Sequence, residues 1–285
     1  MPYSQEISRA HKGCFLFLLD QSYSMEEPLG GSGRRKCDEL ANACNDWLAK
    51  LAIACASGES VRDWFDVGVF GYRTDQDTNA IIESAFQGSL AGRTLVPISE
   101  IANNPVRIDT VTVSLRDEDT GKIIEMPQKV PIWVEPKAEG GTPICCMLHH
   151  AFGVLEEWIE QHPDSFPPIV INITNGALAD GDPIPYAEAI RTLATSDGNV
   201  LLFNSYLSAT VEDGFVFPSG EEQLPDLAAG VLFQMSSILP EGMQHIASCL
   251  GIDLQPDARG MMVNGDLLTL LRFLDEPPYR KKVRT

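Results

Sequence analysis

The 285-residue sequence predicts an α/β fold: a doubly wound, mostly parallel central sheet flanked by helices. Three observations carry this. Strongly apolar runs recur at residues 15–19, 64–72, 169–173 and 199–206, and a strand is apolar on both faces only where helices cover both. Between the runs lie longer segments with apolar residues at helical spacing. Two of the runs stop abruptly at polar residues, Asp20 and Thr174-Asn175-Gly176, as chains do on leaving a buried strand for a loop.

The elements follow in order. Phe15-Leu16-Phe17-Leu18-Leu19 is the first strand, closed by Asp20-Gln21-Ser22-Tyr23-Ser24. The glycines and Pro28 of residues 26–33 mark an irregular loop, expected to form a flexible lip beside the strand end. A helix is predicted over residues 34–56, with Leu40, Cys44, Trp47, Leu48, Leu51 and Cys55 as its apolar stripe. The second strand spans 64–72. Residues 86–137 break the rhythm: 110–115 and 122–126 flank the turn Asp117-Glu118-Asp119-Thr120-Gly121, so this segment reads as a β-hairpin insertion. Gly140-Gly141-Thr142-Pro143 opens a helix running to about residue 160, with Pro143 at an early position where its missing donor does no harm. A strand at 169–173, a helix at 184–194, a strand at 199–206 and helices at 227–238 and 265–274 complete one domain over residues 13–275. Residues 276–285 form a basic tail, with Arg280, Lys281, Lys282 and Arg284.

Composition narrows the function classes. A net charge of -19 argues against nucleic acid and anionic membrane as partners, because both bind through clustered Lys and Arg. No run approaches the roughly 18 apolar residues that cross a bilayer, and residues 1–12 lack the basic and apolar regions of a signal peptide, so a cytoplasmic location is expected. Seven scattered cysteines are an odd number and make no disulfide framework; most read as small core residues.

If the strands are parallel, the ends that carry Asp20, Ser22 and Ser24, the loop that carries Thr142, and the loop of Asn175, Asp180 and Asp182 meet along one sheet edge. In open α/β sheets ligands bind beyond the carboxyl ends of the strands. Aspartate and hydroxyl oxygens are hard donors, suited to Mg²⁺ or Mn²⁺, with Ca²⁺ as a third candidate.

The D-x-S-x-S spacing of Asp20, Ser22 and Ser24, followed by Thr142 in a second loop and Thr174-Asn175-Gly176 in a third, resembles the von Willebrand factor A domain and its metal-ion-dependent adhesion site. The resemblance covers residues 13–275 apart from the hairpin. It implies a Rossmann-like fold and a divalent cation held by the hydroxyls of Ser22 and Ser24, with Asp20 binding it or orienting a bound water and Thr142 adding an oxygen. It further implies a non-enzymatic module that captures an acidic side chain of a protein partner. Among family branches the chain looks most like the free-standing cytoplasmic bacterial proteins of tellurite-resistance systems. Those proteins imply a signalling or stress-response setting and a phosphatase or kinase as partner.

One position departs from the pattern. Asn175 stands where the family carries an acid, which removes one negative charge and leaves the cation more dependent on a partner's carboxylate. Asp180 or Asp182 can substitute, or can cap the helix that follows. The alternatives are a metal-free scaffold domain with a degenerate site and a Mg²⁺-dependent phosphotransferase with Asp20 as nucleophile. The second lacks an acid/base, because Ser22 stands where the second aspartate of a D-x-D motif belongs. The pairs Cys145/His149 and Cys146/His150 point about 100° apart on a helix, which disfavours a shared zinc ion. The turn at residues 117–121 lacks the later ligands of a calcium loop.

Overall fold

The computed structural model describes residues 2–116 and 123–269. The strands and helices predicted up to residue 238 form in the predicted order. β1 (Gly13–Asp20) leads into α1 (Lys36–Ala54) and then β2 (Phe65–Thr74). After these come β3 (Ala80–Ser84), β4 (Val96–Pro97) and α2 (Ile98–Asn103), and then the ribbon β5 (Arg107–Arg116) and β6 (Ile123–Ile132). The second half holds α3 (Ile144–Gln161), β7 (Ile169–Thr174), α4 (Ile184–Thr192), β8 (Leu201–Tyr206), β9 (Phe215–Val216), α5 (Leu227–Met235), α6 (Glu241–Cys249) and β10 (Met261–Val263).

The central sheet has the order β9-β10-β8-β7-β1-β2-β3, with β4 also paired to β2. β2, β1, β7, β8 and β10 are mutually parallel. The edge strands β3, β4 and β9 are antiparallel to their neighbours. Along the chain the order steps outward one way from β1 to β3, then restarts at β7 and steps outward the other way. The reversal falls between β1 and β7, the place where doubly wound sheets open a crevice at their carboxyl ends.

Every residue of β1 is buried, and side-chain alternation sends its residues to two cores. Phe15, Phe17 and Leu19 join the layer of α1 and α6, with Leu40, Cys44, Leu48 and Met243. Phe15 and Phe17 meet the edge of the Trp47 ring at centroid distances of 4.5 and 4.7 Å. Leu16 and Leu18 join the opposite layer of α3, α4 and α5, with Ile144, Leu148, Leu155, Ile190 and Leu232. Cys14, Cys37, Cys44, Cys55 and Cys145 are buried, and all seven cysteines are free.

The structure corrects several sequence expectations. Residues 86–137 are not wholly an insertion: Phe86, Leu90, Val96, Ile98, Ile101, Trp133 and Val134 are buried in the α1-side core. Within that segment the ribbon β5–β6 is the two-stranded sheet that pairs apart from the main one, and it is longer than the turn signal suggested. Its base is fixed to α1, where the Asn45 side chain accepts from the Trp133 and Val134 N–H groups at 2.9 and 3.1 Å and donates to the Val134 carbonyl at 2.8 Å. The turn at 117–121 and the tail at 276–285 lie outside the described residues. So does most of the helix expected at 265–274.

The glycine loop is not a flexible lip. Gly30 donates to the Ser208 carbonyl at 2.9 Å, and a Cβ there would lie 2.2 Å from the Val211 carbonyl oxygen. Gly30 and Gly31 serve close backbone approach, a Cβ on Gly31 lying 2.7 Å from the Glu212 carbonyl oxygen. Among the described residues no helix is long and apolar enough to cross a membrane.

Candidate metal centre

Asp20 is the last residue of β1 and is fully buried at the switch point, in register with Tyr72 of β2. One carboxylate oxygen accepts from the Ser22 backbone N–H at 2.9 Å, and the other from the Thr174 hydroxyl at 2.6 Å, across 154 residues of chain. Burial pushes its carboxyl up, while donors from Thr174, Ser22 and the Asn175 backbone oppose the rise. The carboxylate is thus clamped by the ends of both strands that flank the crevice.

Ser22 is buried and Ser24 half-buried, and their hydroxyl oxygens stand 3.1 Å apart. Tyr23, between them, is 71% exposed. The loop is docked on the segment that leads to Thr142. Glu139 N–H donates to the Gln21 carbonyl at 2.7 Å, and Tyr23 N–H donates to the Gly140 carbonyl at 2.9 Å. Gly140 adopts φ +66°, and a Cβ there would meet the Thr74 carbonyl oxygen at 2.0 Å, so only glycine fits this crossing. Next to it, Gly141 N–H donates to the Thr74 hydroxyl at 2.7 Å. Thr142 follows, buried, just ahead of α3.

The third loop is joined to the second, because Ala179 N–H donates to the Thr142 carbonyl at 3.3 Å. Asn175 adjoins Asp20 through its backbone, but its side-chain oxygen closes a turn by accepting from Ala177 N–H at 3.2 Å. Asp182 caps α4, accepting from Ile184 N–H at 3.0 Å. Asp180 caps a different helix from the one that follows it: its two oxygens accept from Cys145 and Cys146 N–H at 3.1 and 2.9 Å, at the start of α3. Both aspartates are thus engaged with backbone N–H groups at helix starts.

The donor set suits a small hard cation. Two neighbouring ligands of an octahedral ion with bonds of about 2.1 Å stand about 3.0 Å apart, which matches the hydroxyl pair of Ser22 and Ser24. Asp20 lies behind that pair as the anionic group, two residues away and hydrogen-bonded to Ser22. No group of three or more His, Cys, Asp or Glu is placed to hold a metal among the described residues.

The sequence reading missed Thr174. It sits directly before Asn175, but its role is a contact with a residue 154 positions away, and no local pattern encodes such a contact. Tyr23 was also passed over, although an aromatic between two candidate ligand hydroxyls is itself a signal for a contact surface. No protein-family model matches the chain, and no curated protein matches it.

Proposed function

We propose that the chain is a divalent-cation-dependent protein-interaction module of the von Willebrand factor A type, which captures a partner's carboxylate at Asp20, Ser22, Ser24 and Thr142, with Asn175 at the margin. The observation that carries the reading is the pairing of two hydroxyls 3.1 Å apart with a buried carboxylate at the switch point of a doubly wound sheet. Mg²⁺ or Mn²⁺, or Ca²⁺ in their place, bound there would supply an electrophilic centre that accepts an oxygen from outside. With one carboxylate in the site, the ion keeps a net positive charge that draws an anionic ligand.

The chain's own residues do the rest. Asp20 supplies the charge, the loop of residues 20–24 is held on Glu139 and Gly140, and the exposed ring of Tyr23 offers apolar contact beside the captured group. The net charge of -19 repels acidic surfaces at long range, so the partner suited to this site is basic overall and presents one carboxylate. A cytoplasmic bacterial signalling or stress setting, with a phosphatase or kinase as partner, is what the resemblance adds.

A specific observation favours the second reading, a metal-free scaffold: the Asp20 carboxylate already has protein donors on both oxygens, so the network closes without a cation. Calorimetric titration with MnCl₂ and MgCl₂ separates the two. The expected result is cation binding by wild type, weakened tenfold or more by Ser22→Ala (about 1.4 kcal/mol) and tightened by Asn175→Asp. Acetate, the minimal carboxylate, should raise the apparent affinity for Mn²⁺, because linkage is reciprocal. Binding seen only in Asn175→Asp would establish the scaffold reading, and binding in neither would refute the site.

A further inference from the structure

A second cluster lies at the opposite end of the sheet, where β8 begins. A cavity of about 470 Å³ is walled there by Arg191 at the end of α4, Leu201 at the start of β8, Arg259 ahead of β10, and Glu188. The two guanidiniums converge on one atom: Nη1 of Arg191 and Nη1 of Arg259 donate to the Ser236 carbonyl at 3.2 and 2.9 Å. Arg259 also lies over the Phe233 ring, 5.0 Å from its centroid, which fixes its plane.

Neither arginine forms an ion pair among the described residues, although the chain carries 40 acidic residues against 21 basic ones. Two like charges therefore share a wall whose single carboxylate, Glu188, does not close on either. Burial, and then the charge of Arg259, hold the Arg191 guanidinium below its usual basicity, with Glu188 opposing.

The carbonyls at the C-terminal end of α5 use only Nη1 of each side chain. A guanidinium has five N–H donors, and Nε of Arg191 has no hydrogen-bond partner among the described residues. Paired planar guanidiniums with spare donors match the tetrahedral oxygens of a phosphoryl group, which they bind bidentately.

We propose that this cavity is a binding site for a phosphate-bearing small molecule, held between Arg191 and Arg259. The site is independent of the candidate metal centre. Phosphate lying between the two guanidiniums relieves their mutual repulsion and supplies acceptors for their free donors. Glu188 sets the affinity by opposing the anion's charge.

The test is titration of the full chain with inorganic phosphate at low ionic strength, followed by calorimetry and phosphorus NMR, with EDTA present so that no metal-bound phosphate contributes. Wild type should bind saturably at millimolar concentration or below. Arg259→Gln and Arg191→Gln should each weaken binding about tenfold, the scale of one charge-assisted hydrogen bond. Glu188→Gln removes a carboxylate without touching the α5 contacts, so it keeps the test valid even if an arginine variant fails to fold; it should tighten binding several-fold. Absence of saturable binding by wild type would overturn the proposal, and so would Glu188→Gln binding no tighter than wild type.

Discussion

Thr174 joins the two strands that bound the crevice, donating to Asp20 at 2.6 Å and accepting from Gly176 N–H at 3.0 Å. Valine has the same shape and neither capacity. Thr174→Val should therefore cost about 1–3 kcal/mol, the penalty for leaving buried polar partners unsatisfied, read from the urea midpoint at constant slope. A midpoint equal to wild type would show that the clamp on Asp20 contributes nothing. Gly140 makes a different demand. Gly140→Ala combines a left-handed φ with a Cβ inside the Thr74 carbonyl, whereas Gly33 has φ +70° and nothing within 4 Å of its Cβ. Gly33→Ala should cost about 1 kcal/mol from the φ alone, and Gly140→Ala distinctly more, with loss of cation affinity as Thr142 is displaced. Equal costs for the two variants would exclude the steric account. Such residue-scale facts separate what the sequence displays from what it hides. D-x-S-x-S is local and legible, but the Asp20–Thr174 clamp and the capping of α3 by Asp180 join residues far apart in the chain, and only the folded chain reveals them.

At the scale of elements, the strap before Thr142 is tied to the edge of the sheet by charge. Arg73 of β2, buried, pairs with Glu83 of β3 at 2.8 Å and with Glu139 at 3.3 Å, while Lys137 reaches Glu83 at 3.2 Å. Partial burial pushes the Glu83 carboxyl up, but the hydrogen bonds and charges of Arg73 and Lys137 together outweigh it and hold the carboxyl below its ordinary range. The folded state then binds fewer protons than the unfolded state, so stability rises with pH through this window. The contribution of Glu83 is complete above its unfolded value and is lost as pH falls through the lower folded one. Glu83→Gln should accordingly be less stable than wild type at neutral pH, with the gap closing on acidification; a gap that stayed constant with pH would rule out the ion pairs as its source. The short elements were also the least legible. β3 has no clean alternation in Ala80-Ile81-Ile82-Glu83-Ser84 and β10 is three residues long, so period does not mark them; α6 does place Met243, Ile246 and Ala247 at helical spacing, but over only nine residues. The core strands announce themselves because burial on both faces leaves them almost no polar residues.

Across the whole molecule, the ribbon β5–β6 stands apart from both candidate sites. Its hydrogen-bonded base joins α1 through Asn45, and Val106 N–H donates to the Ile132 carbonyl at 2.8 Å, so the chain enters and leaves at neighbouring points. In sequence the ribbon lies just upstream of Thr142. The strap at residues 137–141 intervenes, and it is the strap that bonds to the loop of residues 20–24. An isolated two-stranded ribbon adds little stability by itself, and this one exposes Ile108, Val111, Ile123 and Met126 to solvent. Replacing residues 107–131 with a short Gly-Ser turn retains Ile132, Trp133 and Val134 as buried residues and closes a gap the fold already brings together. The shortened chain should fold with a melting temperature close to that of wild type and an unchanged affinity for Mn²⁺. It should also be more soluble, since an exposed apolar patch is gone. Loss of cation binding in a chain that still folds would assign the ribbon to the metal centre after all, and aggregation of the shortened chain would show that it covers core rather than solvent.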